Sequence, residues 1–222
     1  MKSAASSAPL VASSPGAETM ARILTVAEAL FAKQGFDAVS MNDIAEAAEV
    51  SKANVFHHFN SKKDLYLAVV RRACEDASGH LDDLGAEQAP LADRLEAFAT
   101  AHLQSLLRHE PVTRLMLREL LGGDPRTGQD LAEQVYGEKF ARFVAILRAG
   151  QKGGQLRADI DPAMVATLIL GADVFFFEAH DVLRHFPEVT FARDPAEYSR
   201  KLTDILLNGI LPTASKTTRK RS

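Results

Sequence analysis

The sequence has one cysteine, no tryptophan and only three tyrosines. A single thiol, Cys74, excludes an intramolecular disulfide framework and fits a reducing cytoplasm. It falls in an amphipathic helical run and reads as a small buried or half-buried hydrophobe rather than a reactive thiol. Neither charge is in excess: 26 basic and 29 acidic residues give a net charge of −3, which does not by itself point to nucleic acid. Residues 1–17 are rich in Ala, Ser and Pro and contain no apolar core of a signal peptide, so no cleaved leader is expected. The most apolar run, 163–177, is interrupted by Asp173 and falls short of the ~20 residues of a membrane span. It reads as a buried helix, with no membrane partner. The sequence also lacks HExxH, a Gly-rich phosphate loop, paired carboxylates at workable spacing, and a Ser or Cys nucleophile in a recognisable setting. No enzyme activity, cofactor or metal is expected. Strand patterns of useful length and internal repeats are missing too.

What is present is helical periodicity in a chain of ordinary globular composition, 46% hydrophobic and 25% charged over 222 residues. That length holds one large domain, or a small one joined to a larger one. Residues 1–17 read as a disordered arm. A first helix is expected from about Glu18 to Gln34, with Ile23, Ala27, Leu30 and Phe31 inward, stopped by Gly35. Phe36 then packs back toward the same core. Ser40 and Asp43 have the spacing of a capping box, which starts a second helix with Ile44, Ala45 and Ala48 inward. Ser51 caps a third, and the tight turn between the two makes a helix-turn-helix without the glycine often found there.

Residues 51–63 are the functional focus. They hold Lys52, Lys62 and Lys63, two adjacent histidines and no carboxylate. Phe56 and Phe59 are a helical spacing apart and are read as anchors to the core, leaving Lys52, Ala53 and Asn54 pointing outward. Residues 19–66 as a whole carry five basic and six acidic residues. The positive charge is concentrated where phosphates would pass, as duplex binding requires. Adjacent histidines on a helix cannot both face one ion, so His57 and His58 are not read as metal ligands.

Ser61 caps a fourth helix expected to run to about residues 79–85. The remaining chain reads as helical throughout. Leu91, Leu95, Phe98, His102 and Leu106 form one stripe, Pro111 opens a short helix, and a longer one spans 127–150. Asp161-Pro162 and Asp194-Pro195 open the last two, the second with Leu202, Ile205, Leu206, Gly209 and Ile210 as its apolar face. The expected architecture is all-α with about nine helices. A helix-turn-helix head at 18–66 precedes a helical domain at 67–212 and a basic, disordered tail at 213–222.

Ile44-Ala-Glu-Ala-Ala48, Val50-Ser-Lys-Ala-Asn-Val-Phe-His-His-Phe59 and Ser61-Lys-Lys-Asp-Leu65 resemble the TetR/AcrR family of bacterial transcriptional regulators. A helix ending in Gly35-Phe36 before Ser40 matches as well. The resemblance covers about 19–66. It implies a three-helix DNA-binding head, a helical effector domain, and a homodimer formed through helices at about 162–185 and 195–211. It also implies contacts to double-stranded DNA from Ser40, Met41, Lys52, Ala53, Asn54, His57, His58 and Lys62. Of these, Lys52, Ala53 and Asn54 take base-proximal roles, while Ser40, His57, His58 and Lys62 contact phosphate. One departure is Phe56, where the family usually has a tyrosine whose hydroxyl reaches a phosphate.

A regulator of this kind needs a small-molecule effector site, and the space between helices of the second domain is the natural place. His102 on an apolar stripe and Asp173 in an apolar helix are either satisfied core polar groups or anchors of that pocket. Met116, Phe140, Phe143 and Phe176 could complete an apolar wall, each equally readable as core. Phe175, Phe176 and Phe177 span about 200° of helix surface, so one ring is expected to face the domain interior and another a partner subunit. Arg114 and Arg118 read as a solvated face. The expected function is a ligand-responsive regulator, most simply a repressor released from a palindromic operator by an apolar or aromatic effector. The alternatives are a helical protein-interaction module, or an enzyme whose helix-turn-helix is structural only.

Overall fold

The computed structural model describes residues 15–86, 88–122 and 125–208. The expectations for the N-terminal arm before Pro15, for Gly209 and Ile210, and for the basic tail lie outside these residues. The described residues contain no strand and are built from α1 (Pro15–Gln34), α2 (Met41–Ala47), α3 (Lys52–His58), α4 (Lys62–Ala73), α5 (Asp76–Gly85), α6 (Leu91–Arg108), α7 (Glu110–Gly122), α8 (Pro125–Leu131), α9 (Gly137–Lys152), α10 (Pro162–Leu183) and α11 (Pro195–Asn208). A π turn, Ala132–Tyr136, joins α8 to α9, and a 3-10 turn, Thr190–Arg193, precedes α11. The π turn needs a glycine after it, because a Cβ on Gly137 would sit 2.7 Å from the Ala132 carbonyl oxygen.

The described chain divides into two compact units. One takes in the residues up to Ala73 together with Pro111–Leu131; the other has Cys74–Glu110 and the residues from Ala132 onward. These units differ from the expected division at residue 66 in one respect: the 111–131 segment associates with the head rather than with the helices that flank it in sequence. Two further corrections concern element ends. α1 begins at Pro15 rather than Glu18, and the expected fourth helix breaks at Cys74–Glu75 into α4 and α5.

In the first unit, α1 packs on α2 and α4, and α2 on α3. Ile23, Ala27 and Phe31 are buried as their spacing requires. Gly35 takes φ +87° and its N–H donates to the Phe31 carbonyl at 2.8 Å, closing α1. Phe36 returns to the core, where its ring lies 5.8 Å from Phe31 and 5.2 Å from Tyr66. Arg118 is exposed, as expected, and its guanidinium reaches Gly35, 3.1 Å from where a Cβ would be. Arg72 ties α4 to α1, donating to Glu28 Oε2 at 2.6 Å and Thr25 Oγ1 at 3.1 Å.

In the second unit, α6 is central and packs on α5, α10 and α11, while α9 packs on α5 and α10. Leu91, Leu95, Phe98 and Leu106 are buried along the expected stripe. Gly150 lets α9 approach Leu91 where a Cβ would not fit. Asp161 caps α10 through the Ala163 N–H at 2.8 Å. Asp194 does the same for α11 through Ala196 N–H at 2.9 Å.

Two expectations for the last helices are overturned. α10 is 22 residues long and apolar enough to cross a membrane by length and composition, so the run is not too short. Nor is it buried on several sides, since only 28% of its apolar window is buried. Ala166, Ile169, Asp173, Phe176 and Phe177 face the unit's core, whereas Met164, Leu168, Gly171, Phe175 and Val182 form an open stripe. α11 turns Ser199 and Thr203, not Ile205, into the core; Ile205 is exposed. The Thr203 hydroxyl is absorbed by the Ser199 carbonyl at 2.8 Å, which makes a small polar residue tolerable there.

Candidate DNA interface and effector site

Local capping chemistry builds the reading helix. Ser40 Oγ accepts from the Asp43 N–H at 3.2 Å, and the Ser40 N–H donates to Asp43 Oδ2 at 2.8 Å, so the expected capping box is present. Those bonds hold the Asp43 carboxyl below the usual carboxylate range. Met41, expected at the DNA surface, is only 8% exposed. That expectation is corrected: the first position after the cap turns its thioether into the head's core. The turn between α2 and α3 uses Glu49 at φ 54° in place of the missing glycine, and the Arg22 Nε donates across to the Ala48 carbonyl at 2.9 Å. Ser51 Oγ then accepts from the Asn54 N–H at 3.1 Å and starts α3.

Val55 and Phe59 are the buried anchors of α3. Phe56 is not one. It is 42% exposed, on the same side as Lys52, whose ammonium lies 5.9 Å from the ring centroid. The reading of Phe56 as a core anchor is therefore corrected: 55 and 59 are one helical turn apart and take the inward face. Lys52, Ala53 and His57 are exposed, and Asn54 and His58 half-buried, with the two imidazoles 5.2 Å apart edge to face.

The two lysines that open α4 have different surroundings. Lys62 Nζ donates to the Phe36 and Asp37 carbonyls at 2.8 and 3.3 Å and sits 4.4 Å from the Phe36 centroid. It closes the corner after α1. Lys63 is ion-paired with Asp130 of α8. Neither arrangement was visible in the sequence, because the partners are distant along the chain.

In the second unit, the two polar residues singled out on apolar helices meet each other. His102 Nδ1 lies 2.8 Å from Asp173 Oδ2. The imidazole stacks on Phe98 at 6.0 Å, and Phe98 contacts Phe143 at 4.5 Å. Asp173 is 0% exposed and its Oδ1 has no hydrogen-bond partner among the described residues. Burial raises its carboxyl pKa, opposed by the bond to His102. Beside it, Tyr198 donates to the Ala172 carbonyl at 2.6 Å and its ring lies tilted against Phe176, centroids 4.2 Å apart. Its phenol is pushed up by burial, with the charge of Asp173 adding to the effect. Phe140 packs against the same core as Phe143. Met116 belongs to the first unit and is not brought together with the others. Elsewhere in this unit, Leu95, Leu156, Met164, Val165, Leu168 and Leu206 line an apolar cleft of about 330 Å³. Cys74 is half-buried and burial pushes its thiol up, as expected of an inert hydrophobe.

A family model described as "Bacterial regulatory proteins, tetR family" matches residues 23–69, which hold α2, α3 and their caps. A second, "Tetracyclin repressor-like, C-terminal domain", matches 92–203, half of the chain. The chain belongs to the TetR family. Among curated TetR-type relatives, the HTH-type transcriptional repressor KstR2 of Rhodococcus jostii is 28% identical over 147 residues, 63% of this chain and 68% of that protein. The HTH-type transcriptional regulator RutR of Escherichia coli K12 is 31% identical over 150 residues, 66% of this chain and 68% of that protein. Salmonella enterica GusR has a similar structure, with a TM-score of 0.70 at 25% identity over 88% of this chain and 98% of that one. This TetR-family chain is a ligand-responsive, DNA-binding transcriptional regulator, as the head had suggested.

Sequence reasoning missed Phe98 and Tyr198 beside the His102–Asp173 pair. Phe98 had a usable signal, standing one helical turn before His102 on the same stripe. Tyr198 had none, since α11 reaches Ala172 only through the fold.

Proposed function

We propose that this TetR-family protein is a cytoplasmic repressor that binds a palindromic operator as a homodimer and is released by a small, largely apolar or aromatic effector. The observation that carries the DNA side is the outer face of α3. Lys52, Ala53 and Asn54 stand at its start, flanked by His57 and His58, with no carboxylate from 51 to 63. Short side chains there let Lys52 and Asn54 reach base edges, while Ser40, His57 and His58 take phosphates. Lys62 joins them once its ammonium leaves the Phe36 carbonyl.

One α3 reads only a few base pairs, so a specific regulator needs two heads. The open stripe Met164, Leu168, Phe175 and Val182 supports a two-fold dimer, together with exposed Ile205 on α11. Covering it with a second copy would bury the apolar surface that the single chain leaves in water. For the effector, Phe140, Phe143 and Phe176 supply apolar walls, and His102 and Asp173 supply polar anchors. Fluorescence anisotropy with promoter DNA and random duplex at several salt concentrations tests the reading. Binding should weaken steeply with salt and favour one site; absent or salt-independent binding defeats it.

A further inference from the structure

We infer that Phe56 is a specificity-determining residue that reads the C5-methyl group of a thymine in the operator half-site. The inference rests on DNA reading by α3. Phe56 is 42% exposed and is the only exposed large hydrophobic residue of α2 and α3. A phenylalanine ring left in water on a helix with no unmet need for it stabilises nothing in the head. Val55 and Phe59 already fill the inward positions. Phe56 instead shares the outer face with Lys52 and Ala53, at helical spacings of four and three, with exposed His57 beside it. No carboxylate interrupts that face, so nothing on it repels the DNA polyanion.

A major groove offers a ring of this kind one apolar partner. The base edges exposed there are hydrogen-bond donors and acceptors except for the methyl of thymine. Phe56 has no hydroxyl or amide, so it cannot discriminate among the polar edges, and a thymine methyl is the feature it can bury. Lys52 adds to this: its ammonium lies 5.9 Å from the Phe56 centroid. The ring therefore orients the cation on the same face, toward the base edge next to the thymine. Phe56 is a reader in its own right and a positioning residue for Lys52.

The experiment starts from a random duplex library, from which the full-length protein selects its preferred half-site. Each thymine of the selected site is then replaced by deoxyuridine, which removes the methyl and nothing else. Affinities are measured for the native protein, Phe56→Ala and Phe56→Leu. One thymine per half-site should be sensitive, with affinity falling about fourfold per half-site, the worth of one buried methyl. Phe56→Ala should bind the thymine and deoxyuridine forms alike, while Phe56→Leu keeps part of the difference. Because Phe56 is outside the core, all three proteins should melt alike. Enrichment of a site at which no thymine responds overturns the assignment, as does a response that survives in Phe56→Ala. Failure to enrich any site overturns DNA reading by α3 and this inference with it. If Phe56→Ala weakens selected and random duplexes equally, the ring packs on the sugar-phosphate backbone and does not read sequence.

Discussion

Lys63 in the first turn of α4 is ion-paired with Asp130 of α8. It stands four positions after Phe59, the buried C-cap of the reading helix, so a cation beside that helix is neutralised by the protein's own carboxylate. Both side chains remain partly exposed, which leaves the pair open to competition.

Asp130→Asn should release Lys63 to the DNA backbone. The plot of log affinity against log salt should steepen by about 0.9 per head, the signature of one further phosphate neutralised. Anisotropy titrations on random duplex across a salt series measure this. An unchanged slope would mean that Lys63 never meets phosphate.

Lys62 should show two effects at once. Lys62→Ala removes two bonds to carbonyl oxygens and the contact with the Phe36 ring. Denaturant unfolding should report a loss of about 1–2 kcal/mol. Specific and random DNA should weaken about equally, whereas Asn54→Ala changes the order of preference among sequences. Full native stability in Lys62→Ala would show that the corner after α1 does not need the ammonium.

Asp173 makes a prediction about pH. Its folded-state pKa is raised by burial, so its contribution to stability is complete below the ordinary carboxylate range. That contribution is lost as pH climbs through the raised value. Asp173→Asn keeps a hydrogen-bonding group opposite His102 and abolishes the titration. The mutant should therefore gain stability relative to the native protein as pH rises from 4 toward neutrality. Unfolding curves at several pH values give the difference, and a difference that is flat or of opposite sign contradicts the assignment.

The open stripe of α10 predicts an assembly defect. Leu168→Glu combined with Phe175→Glu places charge where a partner copy would bury apolar surface. Sedimentation should find dimer for the native protein and monomer for the double mutant, with operator affinity reduced at least about tenfold because one head reads too few base pairs. Retained dimer in the double mutant would place the interface elsewhere.

Features governed by neighbours in sequence were legible before the structure. The caps at Ser40, Ser51, Asp161 and Asp194 are local hydrogen-bond patterns, and each stands where its residue type and spacing put it. The helix-turn-helix followed from them. Periodicity alone did not decide which of two rings lies inside: Phe56 with Phe59 fits a helical face, but so does Val55 with Phe59, and only the packing of α3 on α2 chooses. The break at Cys74–Glu75 has no glycine or proline to announce it. His102 and Asp173 were each conspicuous, yet 71 positions separate them and no local rule pairs them. The same holds for Lys63 with Asp130, and for the allegiance of residues 111–131.

That last segment has a mechanical consequence. Its sequence neighbours, Glu110 and Ala132, belong to the second unit, and the return at Ala132 runs straight into the π turn. The segment itself carries Arg118 and Asp130 to Gly35 and Lys63. It is a strap with both ends clamped in one body and its middle holding the other. A head cut out at residue 73 would lack residues 111–131, leaving Gly35 without the Arg118 guanidinium beside it and Lys63 without Asp130. In the intact chain, any change in the spacing of the two clamps is felt at Asp130. Duplex that draws Lys63 away loads the same strap from the opposite side, and by linkage the two loads carry one coupling free energy.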